Sequence, residues 1–277
     1  MLDCLDFNNF YKNHINNISY NIDYGSRKGC IKYNPSVDGL NVGVKYAADQ
    51  YNFNADPRYT VGINNQFGIN GLNSNDLLVL CIEIFDWGGV QKSNIIQAID
   101  LHRKGSLTQF LLEYKKWFES DCTLDVNQII FPSDFIWSSG WTKVYSFTFS
   151  HTAMYDSRVA AFINYIMLSF YDDLKLKGQE DLITPVTEKL VSFGGDGGRI
   201  RVVNSEYKVM LASNGTTNKR KCLIANKLAS WLLRYITEEI EFQEQSVSQS
   251  NFREIDKAMF MLGFDMSQIH SAGKFFK

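Results

Sequence analysis

Residues 138–162, SSGWTKVYSFTFSHTAMYDSRVAAF, decide how the chain is read. The run is apolar enough for burial, yet it carries one lysine, Lys143, and one aspartate, Asp156. Side chains of these types are seldom buried unless they are paired or chemically employed. Ser138 or Ser139 is a natural N-cap and Gly140 lets a turn pass closely, so a helix is expected to start near Gly140 or Trp141 with Lys143 in its first turn. A second helix is expected after TAMY, with Asp156 as its N-cap and SRVAAFINYIMLSFYDDL as its body. If the first helix runs to about Phe149 it advances roughly 10 Å, and residues 150–155, extended at about 3.3 Å each, retrace that distance. Both polar groups are therefore expected at helix N-termini that share one pocket. The positive end of a helix dipole and apolar neighbours favour a neutral, nucleophilic amine at Lys143. Taken singly, each residue has a plainer reading: Asp156 as a cap alone, Lys143 as a solvated cation. Their combination is what suits a nucleophile facing a carboxylate.

Composition sets the frame. With 277 residues, 45% apolar and 14% aromatic, the chain can bury a substantial core, as one large domain or two intimate ones. The 28 basic and 30 acidic residues nearly balance, so nucleic-acid binding would need a local patch rather than a global field. The N-terminal MLDCLDFNNFYKNHINNISY has no long apolar core, and is read as neither a secretion signal nor a membrane anchor. Cys4, Cys30, Cys81, Cys122 and Cys222 are odd in number, scattered and without a CxxC pair, which argues against a disulfide framework and against a zinc site. His14, His102, His151 and His270 share no metal-ligand spacing, so no metal and no cofactor is expected. A cytoplasmic protein without a membrane partner is the expectation.

The fold class expected is mainly α with a small N-terminal antiparallel β-sheet. Short alternations such as GVKYAADQYNF and RYTVGI, over residues 30–69, suggest the sheet. Helical periodicity is read over 75–86, 91–104, 105–120, 222–241 and 251–263, besides the two helices of the opening stretch. The chain is divided into an N-terminal segment, residues 1–72, and a helical domain, residues 73–277. The latter carries a glycine-rich and basic loop insertion near 192–221, with a hairpin and the triplet Lys219, Arg220, Lys221. The GGDGG run lacks phosphate-loop spacing and reads as a flexible turn.

The segments GWTKVYSF and AMYDSRVA resemble the catalytic stretch of the helix-hairpin-helix DNA glycosylases, nearest the 8-oxoguanine DNA glycosylase branch. That family starts its catalytic helix with G-x-G-T-K-V and places an aspartate after a short return. The resemblance implies a helix-hairpin-helix glycosylase-like helical domain. It also implies that Gly140 and Thr142 belong to the hairpin and helix start, Lys143 is the nucleophile, Asp156 is the catalytic aspartate, and Arg158 replaces a phosphate-contacting histidine. Two departures stand out: the usual L-P-G-V-G hairpin is replaced by IWSSGW, and the 13-residue spacing from Lys143 to Asp156 is short for the family.

By the same resemblance, the segment EIFDWGGVQKSN lies near the wedge that fills the gap of an extruded base, with Trp87 and Gln91 as candidates. A tryptophan beside two glycines also serves simply as packing under a turn. Tyr155 is a candidate for stacking on a base, against an ordinary core role. Lys92, His102, Arg103, Lys104, Arg158, Arg199 and Arg201 are a candidate phosphate track or a solvated face. The C-terminal helix around Phe260 is expected to help line a specificity pocket.

Three function classes follow. The first is a DNA glycosylase and AP lyase-like enzyme that cleaves the N-glycosidic bond of a modified purine through a lysine Schiff base. The second is a glycosylase-fold protein of bacterial antiphage, CBASS-type defence, reading a modified or deazapurine base outside duplex DNA and working with a defence-system protein partner. The third is a catalytically silent nucleobase-binding module, preferred if Lys143 is exposed or distant from Asp156.

Overall fold

A computed structural model describes residues 2, 5–16, 18–20, 44–49, 51, 69–90, 92–120, 131–132, 135–195, 198–203, 205, 207–212, 216–243 and 248–271. Helix α1 (Phe7–Phe10) runs into a π-helical turn (Tyr11–Ile15) and is followed by β1 (Ile18–Tyr20) and α2 (Val44–Asp49). Then come α3 (Ser74–Trp87), α4 (Lys92–Arg103), α5 (Leu107–Glu119), α6 (Ser139–Thr148) and α7 (Ser157–Leu176). A short α8 (Thr184–Thr187), the two-residue strands β2 (Val191–Ser192) and β3 (Met210–Leu211), α9 (Thr216–Tyr235), α10 (Gln249–Leu262) and β4 (Ile269–Ser271) follow. The protein is mainly helical with a small antiparallel strand pair.

Two compact units interleave along the chain: the first takes Met1–Phe53, Ser157–Asn214 and Leu232–Lys277, the second Asn54–Asp156 and Gly215–Trp231. The sequence reading divides the chain only once, at residue 73.

In the first unit, α10 packs on α2 and α7. Helix α7 is buried on all sides over residues 159–170, as its nearly unbroken apolar sequence requires. Phe7 and Phe10 close on Phe170 at ring separations of 5.0 and 4.9 Å. Strand β1 pairs antiparallel with β4, Ile18 opposite Ser271 and Tyr20 opposite Ile269, so the sheet joins an early segment to a late one. The sheet expected within residues 30–69 falls mostly outside the described residues, RYTVGI included. Its described part corrects the expectation: Val44–Asp49 is a helix. Val44, Ala47, Ala48 and Tyr51 stand at i, i+3, i+4 and i+7, a helical stripe, and the first three are buried.

The expected hairpin in the insertion is likewise corrected, since β2 and β3 pair in parallel, Val191 opposite Met210. Lys219, Arg220 and Lys221 lie in α9 rather than in a loop. Within the insertion, Gly195 has no room for a side chain, because the Arg199 carbonyl occupies the place a Cβ would take.

The second unit is built around α6. Trp141 is wholly buried, with Phe85 of α3 and Phe110 of α5 each set edge-on at 5.2 Å. One turn on, Tyr145 stacks on Tyr114 at 4.8 Å, and both hydroxyls donate to the Ile136 carbonyl, at 2.7 and 2.9 Å. Burial drives the Tyr145 phenol well above its ordinary pKa, so it remains a donor. Ahead of α6 the described residues 131–132 and 135–138 are neither helix nor strand, and α5 ends at Glu119.

Candidate catalytic site

Helix α6 starts where a serine can cap it. The Ser138 hydroxyl oxygen accepts from the Trp141 amide at 3.1 Å and donates its own proton to Asn94 Oδ1 at 2.6 Å. Asn94, 5% exposed on α4, lies against Gly140, where a Cβ would stand 2.6 Å from Nδ2. The Trp141 indole donates to Gln97 Oε1 at 2.9 Å. Two α4 side chains and one glycine thus fix the helix start.

Lys143 lies one residue beyond the first turn, and its side chain folds back toward the N-terminus, as helical side chains do. Its Nζ donates to the Ser139 carbonyl at 3.2 Å, an oxygen that also accepts from Thr142 Oγ1 at 3.0 Å. Gly88, at the end of α3, makes room for the stem: a Cβ there would sit 2.5 Å from Lys143 Cδ and 2.9 Å from Cε. The ammonium faces Asp156, with Nζ 4.0 Å from Oδ2. The two side chains are only 11% and 14% exposed. At that separation the groups attract but share no hydrogen bond, and both can reach one reacting centre placed beside them.

The return from α6 to Asp156 is tightly shaped. His151 adopts a left-handed φ of 49°. Two consecutive three-residue turns follow, Tyr155 N to Ala153 O at 2.9 Å and Asp156 N to Met154 O at 2.8 Å. Helix α9 grips Ala153 by both backbone groups: its N–H donates to Ser230 Oγ at 2.9 Å, and its carbonyl accepts from Asn226 Nδ2 at 3.1 Å. Ser230 Oγ donates in turn to Asn226 O at 2.8 Å. Neither residue figures in the sequence reading. Their signal was two polar side chains, four apart, inside the apolar run CLIANKLASWLL.

Gly140, Thr142, Lys143 and Asp156 therefore come together. Trp87 is half-buried at the end of α3 beside Gly88, set edge-on to Phe147 at 5.1 Å. Gln91 lies outside the described residues. Tyr155 is wholly buried, which is the core role.

Arg158 belongs to the first unit, where its guanidinium lies over Phe260 at 4.3 Å and Phe264 at 4.8 Å. The basic residues considered as a phosphate track divide between the units. Lys92, Arg103 and Lys104 are exposed, and His102 Nδ1 lies 2.9 Å from Ser74 Oγ. Arg199 lies over Phe264 at 4.4 Å, and Arg201 is buried against the Ser157 hydroxyl. Among the described residues no cluster of His, Cys, Asp and Glu is arranged to hold a metal, and no helix is long and apolar enough to cross a membrane.

Compared with known proteins, the chain matches no family model, no curated protein and no solved structure.

Proposed function

We propose that the protein is an N-glycosidase of the helix-hairpin-helix, 8-oxoguanine glycosylase-like kind, acting on a modified purine nucleotide. One observation carries the reading: a nearly buried lysine, its amine on the Ser139 carbonyl, stands 4.0 Å from a nearly buried aspartate three residues past the Ala153 backbone that α9 grips. In the proposed reaction the Lys143 ammonium gives up a proton with Asp156 assisting, the resulting amine attacks C1′ of the sugar, the C1′–N bond breaks, and the base leaves with the bonding pair and takes up that proton. The Asp156 carboxylate stabilises positive charge developing on the sugar. Ring opening then yields a Schiff base at Lys143, from which β-elimination cleaves the strand.

A second reading rests on the approach to α6. The sequence IWSSGW stands where the family has its L-P-G-V-G hairpin, whose backbone amides hold a duplex phosphate. This favours a base presented outside duplex DNA, as in the antiphage-defence version of the fold, with a defence-system protein as partner. The exposed or distant lysine that would favour a silent module is not what Lys143 offers.

Borohydride trapping across oligonucleotides and free nucleosides carrying modified purines tests both readings. A covalent adduct that Lys143→Gln abolishes supports the mechanism, and the trapped substrate distinguishes duplex, single strand and nucleoside. An adduct that persists at full rate in Lys143→Gln overturns it.

A further inference from the structure

Helix α9 is as one-sided in charge as any part of the chain. Over residues 216–235 it holds Lys219, Arg220, Lys221, Lys227 and Arg234 and no acidic residue. Three of these cations stand in succession at the fourth to sixth positions of the helix, where their mutual repulsion disfavours them. Lys219, Arg220 and Lys221 form no ion pair among the described residues, and Arg220 and Lys221 are exposed. Such an arrangement costs stability unless something anionic relieves it.

Rings are interleaved with these charges. The Arg220 guanidinium lies over Phe131 at 5.3 Å and Phe135 at 5.9 Å, and both rings are half-exposed. Phe131 also stacks toward Trp117 at 6.3 Å. Seven residues past Arg220, on the same face, Lys227 fastens α9 to α5 by donating to the Trp117 carbonyl and Ser120 Oγ, both at 2.8 Å. Trp231, one turn further, is 48% exposed. Asn226 and Ser230, which grip Ala153, lie about 100° round the helix from this stripe.

We infer that the Arg220–Trp231 stripe of α9, with Lys219 and Lys221 about 100° to either side of Arg220, is a binding surface for single-stranded nucleic acid, Arg220 and its two flanking lysines taking phosphates and exposed Trp231, with the half-exposed Phe131 and Phe135, taking bases. Exposed ring faces are of use to unstacked bases and not to those inside a duplex. Arginine over a ring supplies both a phosphate donor and a stacking plane. The surface is distinct from the Lys143–Asp156 pair and does not depend on the chemistry proposed there.

The test is fluorescence anisotropy of the full chain with a labelled 20-nucleotide single strand of unmodified bases, titrated across salt concentrations. The combined variant Lys219→Gln, Arg220→Gln, Lys221→Gln should bind at least about tenfold more weakly at low salt. Its log–log salt slope should be shallower by about 2, from about 0.7 per phosphate contact on single strands. Phe135→Leu and Trp231→Ala should weaken binding about fivefold or more with the slope unchanged, because stacking releases no counterions. Because the strand carries no modified base, binding is read without turnover, which separates failure of the surface from failure of the catalytic reading. Parent-like affinity and slope in the triple variant overturn the proposal. So does equal competition by a polyglutamate peptide of matched charge, which would make the partner an acidic protein segment. The triple variant exchanges exposed or half-exposed side chains, and an unchanged circular dichroism spectrum and melting curve certify the comparison.

Discussion

Helices α6 and α9 each carry lysine near the N-terminus, and the two have opposite fates. Lys143 of α6 is drawn inward, its stem lying in the space left by Gly88, its amine on a carbonyl and facing an aspartate. Lys219 and Lys221 of α9 flank an exposed arginine and have no ion pair among the described residues. These lysines stand at the fourth to sixth positions of their helices, where the dipole has largely faded and does not tell the two sites apart. What separates them is whether the surroundings supply a specific acceptor, and that difference leaves an enclosed, partnered amine in one place and a charged surface in the other.

The contrast is sharpened most by removing charge at each site in turn. Lys143→Gln should eliminate the trapped adduct altogether, and Asp156→Asn should slow turnover by orders of magnitude while keeping an acceptor ahead of α7. Lys221→Gln should leave trapping within about twofold of the parent on a nucleoside substrate, which has no strand to bind. Single-turnover rates under borohydride check all three, and a large loss in Lys221→Gln would merge the two sites.

Gly88→Ala comes next. The added methyl collides at 2.5 Å with Lys143 Cδ, the far part of a flexible chain, and crowds the Ile84 carbonyl at 3.2 Å, so the lysine yields most. Trapping should slow about tenfold or more while stability falls by only about 1–2 kcal/mol. A melting temperature that collapses together with activity would show that Gly88 serves packing instead.

Ser230→Ala leaves the buried Ala153 amide without its acceptor and should cost about 1–3 kcal/mol in denaturant unfolding, with a secondary loss of activity through misplacement of Asp156.

The smallest effect at neutral pH concerns two buried thiols. Burial pushes Cys81 and Cys222 up to about 12 from an ordinary 9.0. A folded-state pKa raised in this way contributes stability that is intact below about pH 9 and is lost as pH climbs toward 12. Denaturant midpoints should therefore show no pH dependence from these thiols near neutrality and decline above pH 9. Mass-mapped alkylation at pH 8 should spare both cysteines until urea is added.

Much of the site is legible in the sequence itself. Ser138 capping α6, the start of α7 directly after Asp156 and the inward lysine all follow from local rules, because capping and helical side-chain direction act over one turn. The α2 helix was legible too, in the spacing of Val44, Ala47 and Ala48, but a run of short alternations concealed it. Gly88 and the Asn226–Ser230 grip were not legible, since what they touch lies 55 and more than 70 residues away in the chain. The basic triplet reads as loop from local rules, because three adjacent cations repel one another near a helix start, whereas it lies in α9.

The interleaving of the two units has a consequence for how the protein is made. As the chain leaves the ribosome, α2 must wait for α10, and β1 must wait for β4, more than two hundred residues later. The second unit needs residues 215–231 to complete it, so neither unit can close in the order of synthesis. Contacts this distant slow folding and lengthen the exposure of apolar helices such as α7. A nascent chain arrested before α9 should consequently be protease-sensitive throughout, and splitting the gene at any single point should yield fragments that recover structure only when recombined.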